Sequence, residues 1–111
     1  MFEVAEPSGP RTEWLTIVQH LVQEGRAEVA PLANSDAAPI RPERLCKELT
    51  TWLPTHAVLV TDTGHSGIWT VTIVDAKDPN QRFIWCAGSL GWAFPSAMGV
   101  KCALPDRPNA G

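Results

Sequence analysis

The apolar run Ala57–Val60 constrains this chain more than any other stretch. Four aliphatic residues follow one another without a polar break, between "LPTH" and "TDTG". A strand with one wet face alternates apolar and polar residues. A continuous run instead marks a strand covered on both faces, as in a parallel sheet. Parallel strands are joined by crossovers, normally helices. A helix is readable just before the run, in "RPERLCKELTTWLP". Pro42 suits its first turn. Leu45, Leu49, Trp52 and Leu53 share a face, and Pro54 ends it. Glu43 with Lys47, and Arg44 with Glu48, have the spacing of surface ion pairs. Helix, short loop and buried strand together predict α/β architecture.

Beyond the run stands "TDTGHSGIW", a turn rich in glycine and hydroxyls. The next stretch, "IWTVTIVDA", is dense in β-branched residues and reads as strand by propensity. A parallel sheet wants a crossover helix at the same place. "RFIWCA" is a second short strand, after the turn "AKDPNQ". "AGSLGW" is a second glycine turn, and "FPSAMGVKCAL" a helix with Pro95 near its start and Ala97, Val100 and Leu104 on one face. The tail "PDRPNAG" shows no core-forming pattern. Upstream, Trp14, Ile17, Val18, Leu21 and Val22 recur at helical spacing and predict a helix over 11–24, stopped by Gly25. "RAEVAPLANSDAAPI" then reads as a linker. Both glycine turns leave the carboxyl ends of strands, where open parallel sheets place ligands.

Composition narrows the function classes. A chain of 111 residues supports one small domain. A net charge of −3 argues against general nucleic-acid binding and against an anionic membrane surface. No apolar run is long enough to span a bilayer. The first residues lack the pattern of a secretory signal. Cys46, Cys86 and Cys102 are an odd count without paired spacing, which fits reduced, mostly buried thiols in a cytoplasmic protein. Five tryptophans are scattered rather than striped, so each is expected to pack in the core.

Two readings of the glycine turns stand side by side. Thr61–Gly67 is either a plain strand-to-helix turn or an anion cradle made of free N–H groups, hydroxyls and His65. Gly88-Ser89-Leu90-Gly91 is either a tight turn or a place where bare backbone meets a ligand. Neither is a P-loop or a dinucleotide fingerprint. His20, His56 and His65 show no metal-ligand spacing, and His20 reads as structural. Ser66 lacks a nucleophile-elbow context. Asp75 and Asp78 look like ordinary loop acids.

The two turns, in this order and at this separation, resemble a known family. "RPERLCKELTTWLPTHAVLVTDTGHSGIW" and "CAGSLGWAFPSAMGVKCALPDRP" look like the C-terminal, pyrophosphate-binding domain of thiamine-diphosphate enzymes, in the acetolactate synthase and benzoylformate decarboxylase group. The resemblance implies a partial doubly wound parallel sheet over 38–108, an N-terminal helix and interdomain linker over 1–37, and a tail at 109–111. It implies that Gly64, His65 and Ser66 contact the cofactor diphosphate. It assigns the Gly88 carbonyl to the aminopyrimidine amino group, and Leu90 to the place beneath the cofactor where an apolar residue keeps its two rings bent together. Ser89 stands where many relatives have glycine. "IWTVTIVDA" becomes the crossover helix, against propensity.

The cofactor implied is thiamine diphosphate with Mg²⁺, and the parent substrate a 2-oxo acid. The family's metal-binding segment lies downstream of "PDRP" on a strand this chain is expected not to reach. Its activating glutamate lies in another domain. The chain is therefore expected to be an internal fragment, inactive alone, whose parent is a homo-oligomer or whose missing domains sit on a split subunit. A stand-alone module for a phosphorylated ligand, or a truncated product without function, are the competing readings.

Overall fold

The computed structural model describes residue 9 and residues 11–110. The chain divides into two compact units, one up to Pro31 and one from Leu32 onward.

The first unit is nearly all of helix α1, Thr12–Ala33. The helix does not stop at Gly25. It runs through Pro31 and takes up much of the stretch that composition marks as linker. Trp14, Ile17 and Leu21 are exposed. His20 is not structural: it sits in solvent beside Glu24, at 3.4 Å.

The second unit holds the sheet. Helix α2 covers Pro42–Trp52, strand β1 Val58–Thr61, helix α3 His65–Ile73, strand β2 Arg82–Trp85, helix α4 Ala93–Ala103 and strand β3 Asn109–Ala110. The strands are all parallel, in the order β2-β1-β3. Val58 aligns with Arg82 on one side and Asn109 on the other. The apparent tail thus becomes a third strand, and β1 sits in the middle with every residue buried. Two strands are expected from apolar runs alone; β3 is short and half-polar, which hides it.

Right-handed crossovers explain the helix positions. The step from β1 to β2 through α3 moves one way across the sheet, and the step from β2 to β3 through α4 moves back past β1. The same hand therefore puts α3 and α4 on opposite faces. Val58 and Val60 pack with Ala93, Ile84, Trp92, Ala97 and Val100 on the α4 side. On the other face the Thr61 hydroxyl donates to the Thr70 hydroxyl of α3, at 3.1 Å. This is the doubly wound α/β arrangement, in partial form.

The β-branched stretch is helical, as topology requires and propensity resists. The hydroxyls of Thr70 and Thr72 donate back to the carbonyls of Ser66 and Ile68, both at 2.7 Å, and so stay satisfied inside the helix. In α2 the buried face differs from expectation. Glu43, Cys46 and Thr50 are buried, while Leu45 and Trp52 are exposed. Thr50 receives the Asp75 N–H at 3.2 Å, which ties α2 to the end of α3. Arg44 pairs with Glu48 at 2.8 Å as expected. Glu43 pairs with Arg41 at 3.3 Å, and Lys47 donates to Asn34 instead. The tryptophans are not uniformly core: Trp14, Trp52 and Trp85 are largely exposed.

Candidate functional site

The two glycine turns meet at the carboxyl ends of the adjacent strands β1 and β2. Gly64 stands at the cap of α3 with φ +76°, a backbone that L side chains adopt only under strain. Nothing lies within 4 Å of where a side chain would begin. The first α3 amide with a main-chain acceptor is that of Ile68, bonded to the Gly64 carbonyl at 3.1 Å. The N–H groups of His65, Ser66 and Gly67 precede it and form the unpaired start of the helix. His65 is exposed. The Ser66 hydroxyl donates inward to the Thr63 carbonyl at 3.1 Å, so its main-chain N–H is the group left for a ligand.

Gly67 has a different task. A Cβ there would collide with the indole Nε1 of Trp85 and stand 2.7 Å from the Asp62 carbonyl. Glycine lets the last residue of β2 lie against the first turn of α3. Nothing in the local pattern separates this glycine from Gly64, because the partner comes from another strand.

The second turn carries two more left-handed glycines, Gly88 at φ +104° and Gly91 at φ +85°. Leu90 lies between them and is 84% exposed, an apolar side chain held out in solvent beside the first turn. Phe94 and Met98 continue this exposed apolar line along α4.

Asp62 and Thr63 join the turns. The Asp62 carboxylate accepts N–H bonds from Thr63 and from Gly91, both at 2.8 Å. The Thr63 hydroxyl accepts the Gly88 N–H at 3.1 Å. Hydrogen bonding from the Thr63 amide, and then from the Gly91, Ala93 and Trp92 amides, holds the Asp62 carboxyl below the ordinary carboxylate value against the opposing effect of desolvation. The sequence places both residues in the Thr61–Gly67 turn but gives no sign that they join it to the second, since that role depends on a turn more than twenty positions away.

The arrangement suits an anion with an apolar neighbour. Free amides at a helix start, beside a glycine with open space around it, receive phosphate oxygens closely. The bare Gly88 carbonyl and Leu90 offer one acceptor and one apolar support to whatever is attached to that phosphate. These features fit a diphosphate joined to an aromatic group. Among the described residues no group of three or more His, Cys, Asp or Glu is placed to hold a metal ion. Asp62 is already engaged by amides. A separate cavity of about 110 Å³, walled by Leu53, Leu59, Val71, Val74 and Phe83, lies at the amino ends of the strands, away from both turns.

Comparison with known proteins points to one family. Residues 62–110 match the family described as thiamine pyrophosphate enzyme, C-terminal TPP binding domain. The chain is 28% identical over 102 residues to a probable acetolactate synthase large subunit of Methanococcus aeolicus, covering 86% of this chain and 16% of that protein. It is 28% identical over 89 residues to a sulfoacetaldehyde acetyltransferase of Alcaligenes xylosoxydans xylosoxydans, covering 79% of this chain and 14% of the other. It is 27% identical over 81 residues to a benzoylformate decarboxylase of Pseudomonas aeruginosa, covering 73% and 15%. No solved structure matches significantly. The chain spans 14–16% of the length of these three relatives. Among the described residues, no helix is long and apolar enough to cross a membrane. A stitched pair of glycine turns at the sheet's carboxyl edge, within a segment that matches this family, places the chain in the thiamine-diphosphate-dependent enzymes, as part of their C-terminal cofactor-binding domain, with thiamine diphosphate as its cofactor.

Proposed function

We propose that this chain is the diphosphate-and-pyrimidine cradle of an acetolactate-synthase-like enzyme that acts on 2-oxo acids, making or cleaving a carbon–carbon bond. Thiamine diphosphate, when bound, supplies the carbanion stabilisation that such reactions need. The residues here bind and orient. Main-chain N–H groups of His65 and Ser66, with Gly64 clearing the approach and the His65 imidazole at the rim, hold the diphosphate. The Gly88 carbonyl accepts a hydrogen bond from the aminopyrimidine amino group. Leu90 supports the ring system from below and keeps water from one side of it.

The observation that carries this reading is the join between the turns, Gly88 N–H to Thr63 at 3.1 Å and Gly91 N–H to Asp62 at 2.8 Å. It brings the two turns together, which supports reading them as the two halves of one cradle. The chain spans only 14–16% of the length of the three relatives, so alone it is expected to bind without turnover. The remaining groups would come from a further domain, on the same chain or on a partner subunit, in the cytoplasm, where three free thiols persist.

Calorimetry tests the proposal. Thiamine diphosphate should bind more tightly than ATP or ADP. Equal or nucleotide-preferring binding would instead support a general module for phosphorylated ligands. Acetolactate formed from pyruvate by the purified chain, with thiamine diphosphate and Mg²⁺, would overturn the expectation of inactivity.

A further inference from the structure

We infer that Asp62 and Thr63 are positioning residues that fix the span between the diphosphate half and the pyrimidine half of the cradle. The inference rests on the cofactor reading above. It concerns how two half-sites become one site.

Neither turn is rigid with respect to the other by its own bonds. α4 begins after Trp92, and no side chain from its own sequence neighbourhood caps it. The residue just before Trp92 is held from the other turn, since Asp62 receives the Gly91 N–H at 2.8 Å. Thr63 receives the Gly88 N–H at 3.1 Å. The amides of Gly88 and Gly91 flank Ser89 and Leu90, so both ends of the second turn are tied to residues directly before Gly64. Holding the Gly88 N–H also orients the adjoining peptide, at a glycine whose φ of +104° leaves the backbone otherwise free.

Cutting these ties leaves each turn standing. The start of α3 keeps its open amides, and the second turn keeps its glycines. What changes is their separation. A ligand that touches only the first turn loses little. A ligand that reaches across both loses the advantage of having its second end held in place.

Calorimetry on the full chain, with thiamine diphosphate and with inorganic pyrophosphate in the same magnesium buffer, reads this directly. Thr63→Val removes the acceptor with almost no change of shape, and Thr63→Ser restores it. Asp62→Asn keeps size and one acceptor oxygen but sets an NH₂ group against one of the two amides. Thr63→Val and Asp62→Asn should each weaken thiamine diphosphate about tenfold, the scale of one lost hydrogen bond in a paired site, and pyrophosphate less than about twofold. Thr63→Ser should recover the wild-type ratio.

Parallel losses for both ligands would reduce the two residues to a general structural role and overturn the inference, as would unchanged affinities. Should Asp62→Asn not fold, Thr63→Val decides alone. A wild-type chain that binds thiamine diphosphate no better than pyrophosphate would overturn the cradle reading, and the inference with it. That outcome is visible before any variant is made.

Discussion

Residue-scale effects turn on four side chains and one missing Cβ. Gly67→Ala sets a methyl against the Trp85 indole and the Asp62 carbonyl. Overpacking of this kind costs about 1–3 kcal/mol, and urea denaturation should report it as a lower midpoint. Asp62 carries a sign that can be worked out. Its carboxyl titrates below the ordinary value in the folded chain, through amide hydrogen bonds. Its contribution is therefore complete above roughly pH 3.9 and is lost as pH falls through the lower folded value. Melting temperatures of wild type and Asp62→Asn should differ at pH 6 and draw together only as pH falls below the ordinary carboxylate range. The thiols differ as well. Burial, and then the neighbouring Glu43 charge, push the Cys46 thiol up. Cys86 is half-buried and Cys102 exposed. Iodoacetamide followed by mass spectrometry should label Cys102 first and Cys46 last. The residues proposed to line the cradle are legible in sequence because glycine pairs stand out locally. The roles of Asp62, Thr63 and Gly67 are not, because each acts on a residue from another strand or turn.

At the scale of elements, α2 and α3 show opposite failures of local reading. For α3 the residue types argue strand, yet the parallel pairing of β1 with β2 leaves only a crossover between them. The parallel reading of Ala57–Val60 asks for a helix here, but propensity opposed it, and only the family resemblance decided between them. For α2 the helix was plain and its buried face was not. Leu45 and Trp52 look like core, but the stripe Glu43, Cys46, Thr50 has the same spacing and is the one buried. Thr50 is buried because its hydroxyl has two uses: it donates to the Cys46 carbonyl at 2.9 Å and accepts the Asp75 N–H at 3.2 Å. Glu43 is buried because Arg41 pairs with it. The two faces separate by mutation. Leu45→Lys should change stability by no more than about 0.5 kcal/mol, as exposed positions do. Thr50→Val leaves the Asp75 amide without its acceptor and should cost about 1–2 kcal/mol. Equal costs would put the buried face back where the leucines suggested.

For the whole molecule, the decisive feature is where the sheet ends. β1 is buried on both faces, which only a central strand tolerates, because a flat apolar edge pairs with other chains. On one side it is covered by β2, whose own outer edge carries exposed Arg82 among exposed Phe83 and Trp85. On the other side the cover is the short β3. The Val58 N–H reaches the Pro108 carbonyl at 3.0 Å, and the Asn109 side chain donates to the Ala97 carbonyl of α4 at 2.6 Å. Polar and proline-flanked, this segment gives no apolar signal, and so the sequence reads as tail. Its value lies in what it shields. A chain ended after Pro105 loses both bonds, about 2 kcal/mol at the usual net worth of such contacts. It also turns β1 into an apolar edge strand. Aggregation should therefore rise far more than the stability loss accounts for. Light scattering at matched fractions unfolded separates the two effects. Asn109→Ala serves as the partner variant: it removes the bond to α4 but keeps the strand, and should melt lower while remaining monodisperse. If the truncated chain also stays monodisperse, β3 is not what protects the centre of this sheet, and the edge of β1 must be covered by its side chains alone.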